Sequence, residues 1–244
     1  MIIRIYIIIL IYFILGGLGF YFINRRRDKE EARYNRVKYI TYFFIINTIF
    51  FSIVVRPVLF NYLGIVILAA GFGELTRLFI RSGFRNRGFF TVFLVIYLIF
   101  CTGFYRFSLM EQGLVLFTFL VISIFDAFSQ ISGQLFGRTK IMPSVSPRKT
   151  VEGLAGGAVI AVASSLLLSP LLNQGLSGPG PVLLSAGIVF FAFLGDLTVS
   201  LFKRRYKVKD FSNLLPGHGG FLDRFDSFIA GGAFVAATVL VMGY

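Results

Sequence analysis

The sequence predicts an all-α, polytopic integral membrane protein with about eight transmembrane helices, and three observations lead there. Of 244 residues, 57% are hydrophobic and only 14% charged, whereas a soluble domain carries about a quarter charged and about 45 to 50% apolar residues. Apolar runs of about 20 residues, the length that crosses a hydrocarbon core of about 30 Å, recur along the chain. Basic residues gather in every second interval between those runs.

The runs cover 2–23, 39–55, 58–72, 89–103, 114–136, 151–172, 181–202 and 227–242. The first has only Arg4 as a basic residue, lacks a small-residue cleavage site and is followed by Arg25, Arg26 and Arg27. It reads as a retained anchor, not a removable signal peptide. Only Arg56 and Pro57 divide the second run from the third, which reads as a tight reversal, with a single long kinked helix as the alternative. The intervals after runs one, three, five and seven hold 7, 4, 4 and 6 basic residues, against Arg4, Arg56 and Arg106 everywhere else. Positive loops stay on the cytoplasmic side, so this alternation predicts eight crossings with both termini outside. A bacterial cytoplasmic membrane, with the functional loops facing the cytoplasm, is the expected setting. The SGPGP loop, 177–181, has turn chemistry and no charge.

A formal charge of +13 attracts anionic headgroups, phosphorylated substrates or nucleic acid alike. Because the charge sits in short loops between spans, membrane lipids and phosphorylated substrates are the expected partners, and nucleic acid is not. The single cysteine, Cys101, lies in an apolar run; it cannot form an internal disulfide and reads as buried and inert. Composition also changes along the chain. Residues 1–112 are filled with Ile, Phe and Leu, whereas 113–244 bring acids, Ser, Gly and Gln into the spans. The first part reads as N-terminal helices and the second as the catalytic region.

Ionisable groups within a span are costly and mark sites. In the fifth run, Asp126, Ser129, Gln130, Gly133 and Gln134 recur at offsets of three and four and share one helical face. Ser129, Ser132 and Gln134 suit helix packing equally well. Asp196, Ser200, Lys203 and Arg204 form a second stripe, so two polar faces can meet at one cavity. From Gly195 to Asp226 the chain concentrates Asp196, Asp210, Asp223 and Asp226 with six basic residues. Carboxylates hold Mg²⁺ while Lys and Arg hold phosphates, so this mixture suits a divalent cation bridging a polyphosphate. Asp223 and Asp226 can face inward together, although a helix cap also explains Asp223. In the loop GRTKIMPSVSPRKTVEG, prolines space Arg138, Lys140, Arg148 and Lys149 and suggest a fixed conformation. Its Ser146, Thr150 and Glu152 are candidate caps for the sixth helix. His218 stands in PGHGG, where Gly217, Gly219 and Gly220 let backbone approach a ligand closely; a lone His is more often structural.

The 27 residues from Ser200 to Asp226, SLFKRRYKVKDFSNLLPGHGGFLDRFD, resemble the signature of the phosphatidate cytidylyltransferases, with its S, KR, KD, HGG and DRxD elements. PSVSPRKTVEG, 143–153, is similar to the family's second landmark, and the resemblance covers Asp126 to the C-terminus. It implies a membrane enzyme that converts CTP and phosphatidic acid to CDP-diacylglycerol and pyrophosphate, with Mg²⁺ required and a monovalent cation such as K⁺ assisting. It further implies metal ligation by Asp196 and Asp223, with Asp226 beside them. Ser200, Lys203, Arg204, Lys209, Asp210, His218 and Arg224 become site residues, and Ser146, Lys149 and Thr150 face substrate with Asp126, Gly219 and Gly220. Family members are typically homodimers. Two departures stand out: Gln130 and Gln134 replace an aromatic and a basic residue usual in the family, and the chain is shorter than most relatives by about one span.

The implied chemistry agrees with a chain of one His and one Cys. Phosphatidate is already an anionic nucleophile, so no covalent intermediate or strong base is needed, and catalysis reduces to positioning and charge stabilisation. Rival readings are transfer to another lipid phosphate such as an isoprenoid ether, CTP-dependent lipid kinase activity, a transporter, and a silent scaffold. Intact HGG and DRxD elements argue against the kinase. Grouping of acids and bases on one side argues against a transporter, and the full set of acids argues against a scaffold.

Overall fold

The computed structural model describes residues 2–25, 28–172, 178–212, 214–215 and 219–242. Eight helices follow in order: α1 (Ile2–Asn24), α2 (Lys29–Val55), α3 (Pro57–Arg81), α4 (Arg87–Ser108), α5 (Gln112–Phe136), α6 (Val151–Leu168), α7 (Gly180–Arg205) and α8 (Phe221–Met242). All eight are long and apolar enough to cross a membrane, and the chain is an all-α polytopic integral membrane protein.

Several helices outrun their apolar segments. α2 begins ten residues before the second apolar run because Asp28 caps it, accepting from the Glu31 backbone amide at 2.7 Å. α3 continues to Arg81 and α8 starts at Phe221, where the apolar pattern alone places their ends at 72 and 227. Hydropathy reports where a helix meets lipid, not where its hydrogen bonds stop. Arg56, in extended conformation, breaks α2 from α3, and Pro57 opens α3 at a position where its missing amide is no loss. The reading of a tight reversal thus holds. From the start of α5, the Gln112 side-chain amide donates to the carbonyls of Ile53 at 2.6 Å and Val54 at 3.0 Å, satisfying acceptors that the end of α2 leaves open.

α5 and α8 form the centre, with 61% of their apolar windows buried, whereas α1 at 17% lies on the periphery. α6 packs on α5 at backbone distance: a Cβ on Gly157 would lie 2.7 Å from the Ser129 nitrogen and 2.8 Å from the Phe125 carbonyl. No larger residue fits without separating the helices, which is how membrane helices associate when lipid is as apolar as their side chains. Ser129 and Gly133 of the predicted polar face, together with Ser132, are therefore spent on this seam.

Between α5 and α6 the chain forms an antiparallel hairpin, β1 (Lys140–Met142) and β2 (Ser146–Thr150), pairing Lys140 with Thr150 and Met142 with Ser146. Of the three candidate caps for α6, only Thr150 serves, accepting from the Gly153 amide at 3.1 Å. Ser146 lies in β2, and Glu152 instead accepts from the Arg138 and Thr139 amides at 3.0 and 3.1 Å, fixing the strand entry.

Candidate active site

The site assembles around the first turn of α8. Asp223 is almost fully buried: one carboxylate oxygen meets the Lys203 ammonium at 2.6 Å, and the other accepts from the amides of Phe211 and Gly220, each at 2.8 Å. An acid three residues into a helix reaching back to the preceding amide satisfies a donor that the helix leaves orphaned. Glu74 of α3 completes the cap, accepting from Leu222 at 2.8 Å, Phe221 at 3.1 Å and the Ser212 hydroxyl at 2.7 Å. Two carboxylates therefore sit at the positive end of α8. The loop reaches them through paired backbone bonds between Leu215 and Gly219, with Gly219 at φ +84°, a conformation that glycine adopts without strain.

Asp196 of α7, one turn above Ser200, pairs with Lys149 of the hairpin at 2.5 Å and accepts from the Ser200 hydroxyl at 3.2 Å. Asp226, one turn into α8, is buried and accepts from its neighbour's amide, Ser227, at 2.7 Å; Asp196, Lys203 and Lys149 lie within electrostatic reach of it. Arg224 points elsewhere, toward Asp126 of α5 at 3.6 Å and over the Tyr42 ring of α2 at 4.4 Å. Lys38 of α2 donates to Gln130 at 2.7 Å and interacts with Arg224, Arg148, Asp126 and Asp196. Five cations, Lys38, Arg148, Lys149, Lys203 and Arg224, thus share this region with four carboxylates, Asp126, Asp196, Asp223 and Asp226.

Comparison with known sequences gives this arrangement a context. The model of the cytidylyltransferase family matches residues 86–242, more than half of the chain. The chain belongs to the cytidylyltransferase family. It is similar to the phosphatidate cytidylyltransferase of Staphylococcus saprophyticus, 39% identical over 127 residues that cover 51% of this chain and 49% of that protein. The Haemophilus influenzae enzyme of the same name is 42% identical over 121 residues, 48% of this chain and 42% of the relative. That of Bacillus subtilis is 40% identical over 124 residues, 50% and 46% of the two chains. The chain spans about half the length of the curated relatives it matches.

Within this cytidylyltransferase fold the predicted residues separate into groups. Asp196, Ser200, Lys203, Lys149, Asp223 and Asp226 converge between α7, α8 and the hairpin. Asp126 and Arg224 form a second cluster against α2. Arg204 is committed to backbone, donating to the carbonyls of Val145 and Val208 at 2.9 Å each, and so staples the hairpin turn to the end of α7. Lys209 and Asp210 are exposed, Asp210 lying beside Gly219. Gly220 abuts the Glu74 carboxylate and has no room for a side chain. His218 and Gly217 lie outside the described residues. Three contributors were missed by the sequence reading: Glu74, Lys38 and Tyr42, all from the N-terminal helices. A carboxylate or ammonium recessed into a helix was the available signal, but Glu74 and Lys38 border basic loops and read as part of them.

The acids suit a hard divalent cation. Among the described residues no three Asp, Glu, His or Cys side chains form a cage for an ion, and Mg²⁺ is commonly held by one or two carboxylates with substrate phosphates completing its shell. Asp196 and Asp226 offer such a pair from adjacent helices. Asp223 already serves Lys203 and two amides, so ligation by it requires exchange of one of these partners.

Proposed function

We propose that this protein transfers the cytidylyl group of CTP to phosphatidic acid, releasing pyrophosphate and forming CDP-diacylglycerol, at the cytoplasmic boundary of a bacterial inner membrane. The observation that carries the reading is the meeting of Asp196, Asp226, Lys149 and Lys203 at one boundary in a chain of the cytidylyltransferase family. Five cations nearly balanced by four carboxylates cannot alone neutralise a triphosphate and a phosphomonoester together, so added cations are needed. Asp196 with Asp226 or Asp223 would hold Mg²⁺, which would supply charge neutralisation and orientation of the phosphates, with K⁺ assisting in this reading.

The chain's own residues then do the positioning. Lys149 and Lys203, each paired with an acid, are placed to exchange that partner for a phosphate oxygen. The hairpin, held by Arg204, carries Lys149 over the site. The phosphatidate oxygen bonds to the α-phosphorus as the bond to the bridging oxygen breaks, and pyrophosphate departs with that electron pair. No proton must be removed from the nucleophile. Homodimeric assembly is carried in this reading from the family resemblance.

Purified protein given CTP labelled at either the α- or the γ-phosphorus, Mg²⁺ and a panel of lipid phosphates tests the reading. Only α-label should enter lipid, with one pyrophosphate released per lipid product. Transfer of γ-label marks a kinase, and turnover of an isoprenoid phosphate without phosphatidate replaces the named acceptor.

A further inference from the structure

A cleft runs between α1, α2 and α5. Its walls are apolar and include Tyr12, Gly16, Phe20, Tyr42, Phe128 and Ile131. α1 contributes one wall from the periphery, where its other side is lipid-facing in character, with Ile3, Ile7, Ile11 and Ile14 exposed. Tyr42 lines the cleft, and Arg224 lies against that same ring at 4.4 Å. One aromatic side chain therefore stands between the cleft and a guanidinium.

That guanidinium has capacity to spare. Its contact with Asp126, at 3.6 Å, exceeds hydrogen-bond length, and its Nε is buried without a hydrogen-bond partner. A buried donor left without an acceptor is costly, and a ligand oxygen removes that cost. Lys38 enters the same cluster from α2, with Gln130 accepting one of its three donors. An apolar cleft one ring away from two cations suits an acyl chain bearing a phosphate.

We infer that the cleft between α1, α2 and α5 receives an acyl chain of the lipid phosphate substrate, and that Lys38 with Arg224 holds its phosphomonoester. The inference rests on the proposed reaction and assigns Lys38, a residue outside the stretch that matches the family model, as a substrate-positioning residue. It also gives the N-terminal helices a part in recognition. Asp126, beside Arg224, repels a second anion and so limits the cluster to one phosphate.

The chain contains no Trp, so Phe20→Trp places a single fluorophore in the cleft wall. In nanodiscs, brominated phosphatidic acid should quench it several-fold more than brominated phosphatidylcholine or phosphatidylglycerol at equal mole fraction. Lys38→Met should remove that excess and Lys38→Arg restore it. In turnover assays Lys38→Met should raise the KM for lipid phosphate about tenfold while leaving the KM for CTP within about twofold. Equal quenching by all three lipids means the cleft is merely lipid-solvated, and equal quenching by the two anionic lipids removes the phosphomonoester assignment; either overturns the inference. A shift in the KM for CTP moves Lys38 to the nucleotide and does the same. Selective quenching without turnover of phosphatidate leaves the binding site standing and fails the proposed reaction instead.

Discussion

Asp196 and Asp223 carry the same charge but keep different company, and the difference is measurable. Asp196 is bound to two side chains, Lys149 and Ser200, whereas Asp223 joins Lys203 to the amides of Phe211 and Gly220. Asp196→Asn should lower turnover by about a hundredfold to ten-thousandfold, the loss expected when a metal's several kcal/mol are forfeited, while thermal unfolding in detergent stays near wild type. Asp223→Asn should lose turnover and also destabilise the fold by about 3 kcal/mol, because it strands the Lys203 charge. Near wild-type turnover of Asp196→Asn at saturating CTP and Mg²⁺ rejects the ligand assignment. An unchanged unfolding midpoint for Asp223→Asn rejects its structural role. Asp196 was legible in sequence because an ionisable group inside an apolar stretch has few reasons to be there, and Asp223 and Asp226 because they stand in a dense mixture of acids and bases just before the last apolar run. Glu74 and Lys38 were not, since each lies at the margin of a basic loop where a charge needs no explanation. Ser212, whose hydroxyl donates to Glu74, likewise carries no signal of that role in the local sequence.

The eight helices were legible from length and hydropathy alone, yet their ends were not. α8 starts where a carboxylate from α3, distant in sequence, meets its first amides, and no local pattern announces such a partner. Glu74→Ala should therefore speed hydrogen exchange at Phe221 and Leu222 at least tenfold relative to amides in the middle of α8, since losing acceptors for buried donors costs about 1 to 3 kcal/mol. Unchanged exchange at both amides means that other groups cap the helix. The seam between α5 and α6 makes a sharper case. Gly157→Val should prevent recovery of folded protein from detergent extracts, as its side chain would enter the α5 backbone at Ser129; size-exclusion behaviour like wild type contradicts that packing. The hairpin escaped prediction because strands of 3 and 5 residues are too short for a periodic signal, although prolines and serines did indicate a fixed loop.

Charge distribution predicts the orientation of the whole molecule. In a Cys101→Ser background, Arg85→Cys and Ser144→Cys, both at exposed positions, should resist an impermeant thiol reagent in intact cells, whereas Leu109→Cys, 56% exposed between α4 and α5, should react. The opposite labelling pattern inverts the protein and removes CTP access from the cytoplasm. At this scale α8 is more than a central strut, because three charges in one of its turns look to three different neighbours: Asp223 to Lys203, Arg224 to Asp126 and Tyr42, and Asp226 toward Asp196. An α-helix turns through about 100° per residue. Inserting one residue between Leu222 and Asp223 would turn Asp223 toward Asp126, acid toward acid, and would send Arg224 and Asp226 into the directions that Phe225 and Ser227 now take. Phase along this helix is therefore the site's address system, and a chain that kept every functional residue but shifted that phase by a single position would retain the composition of the site without its wiring.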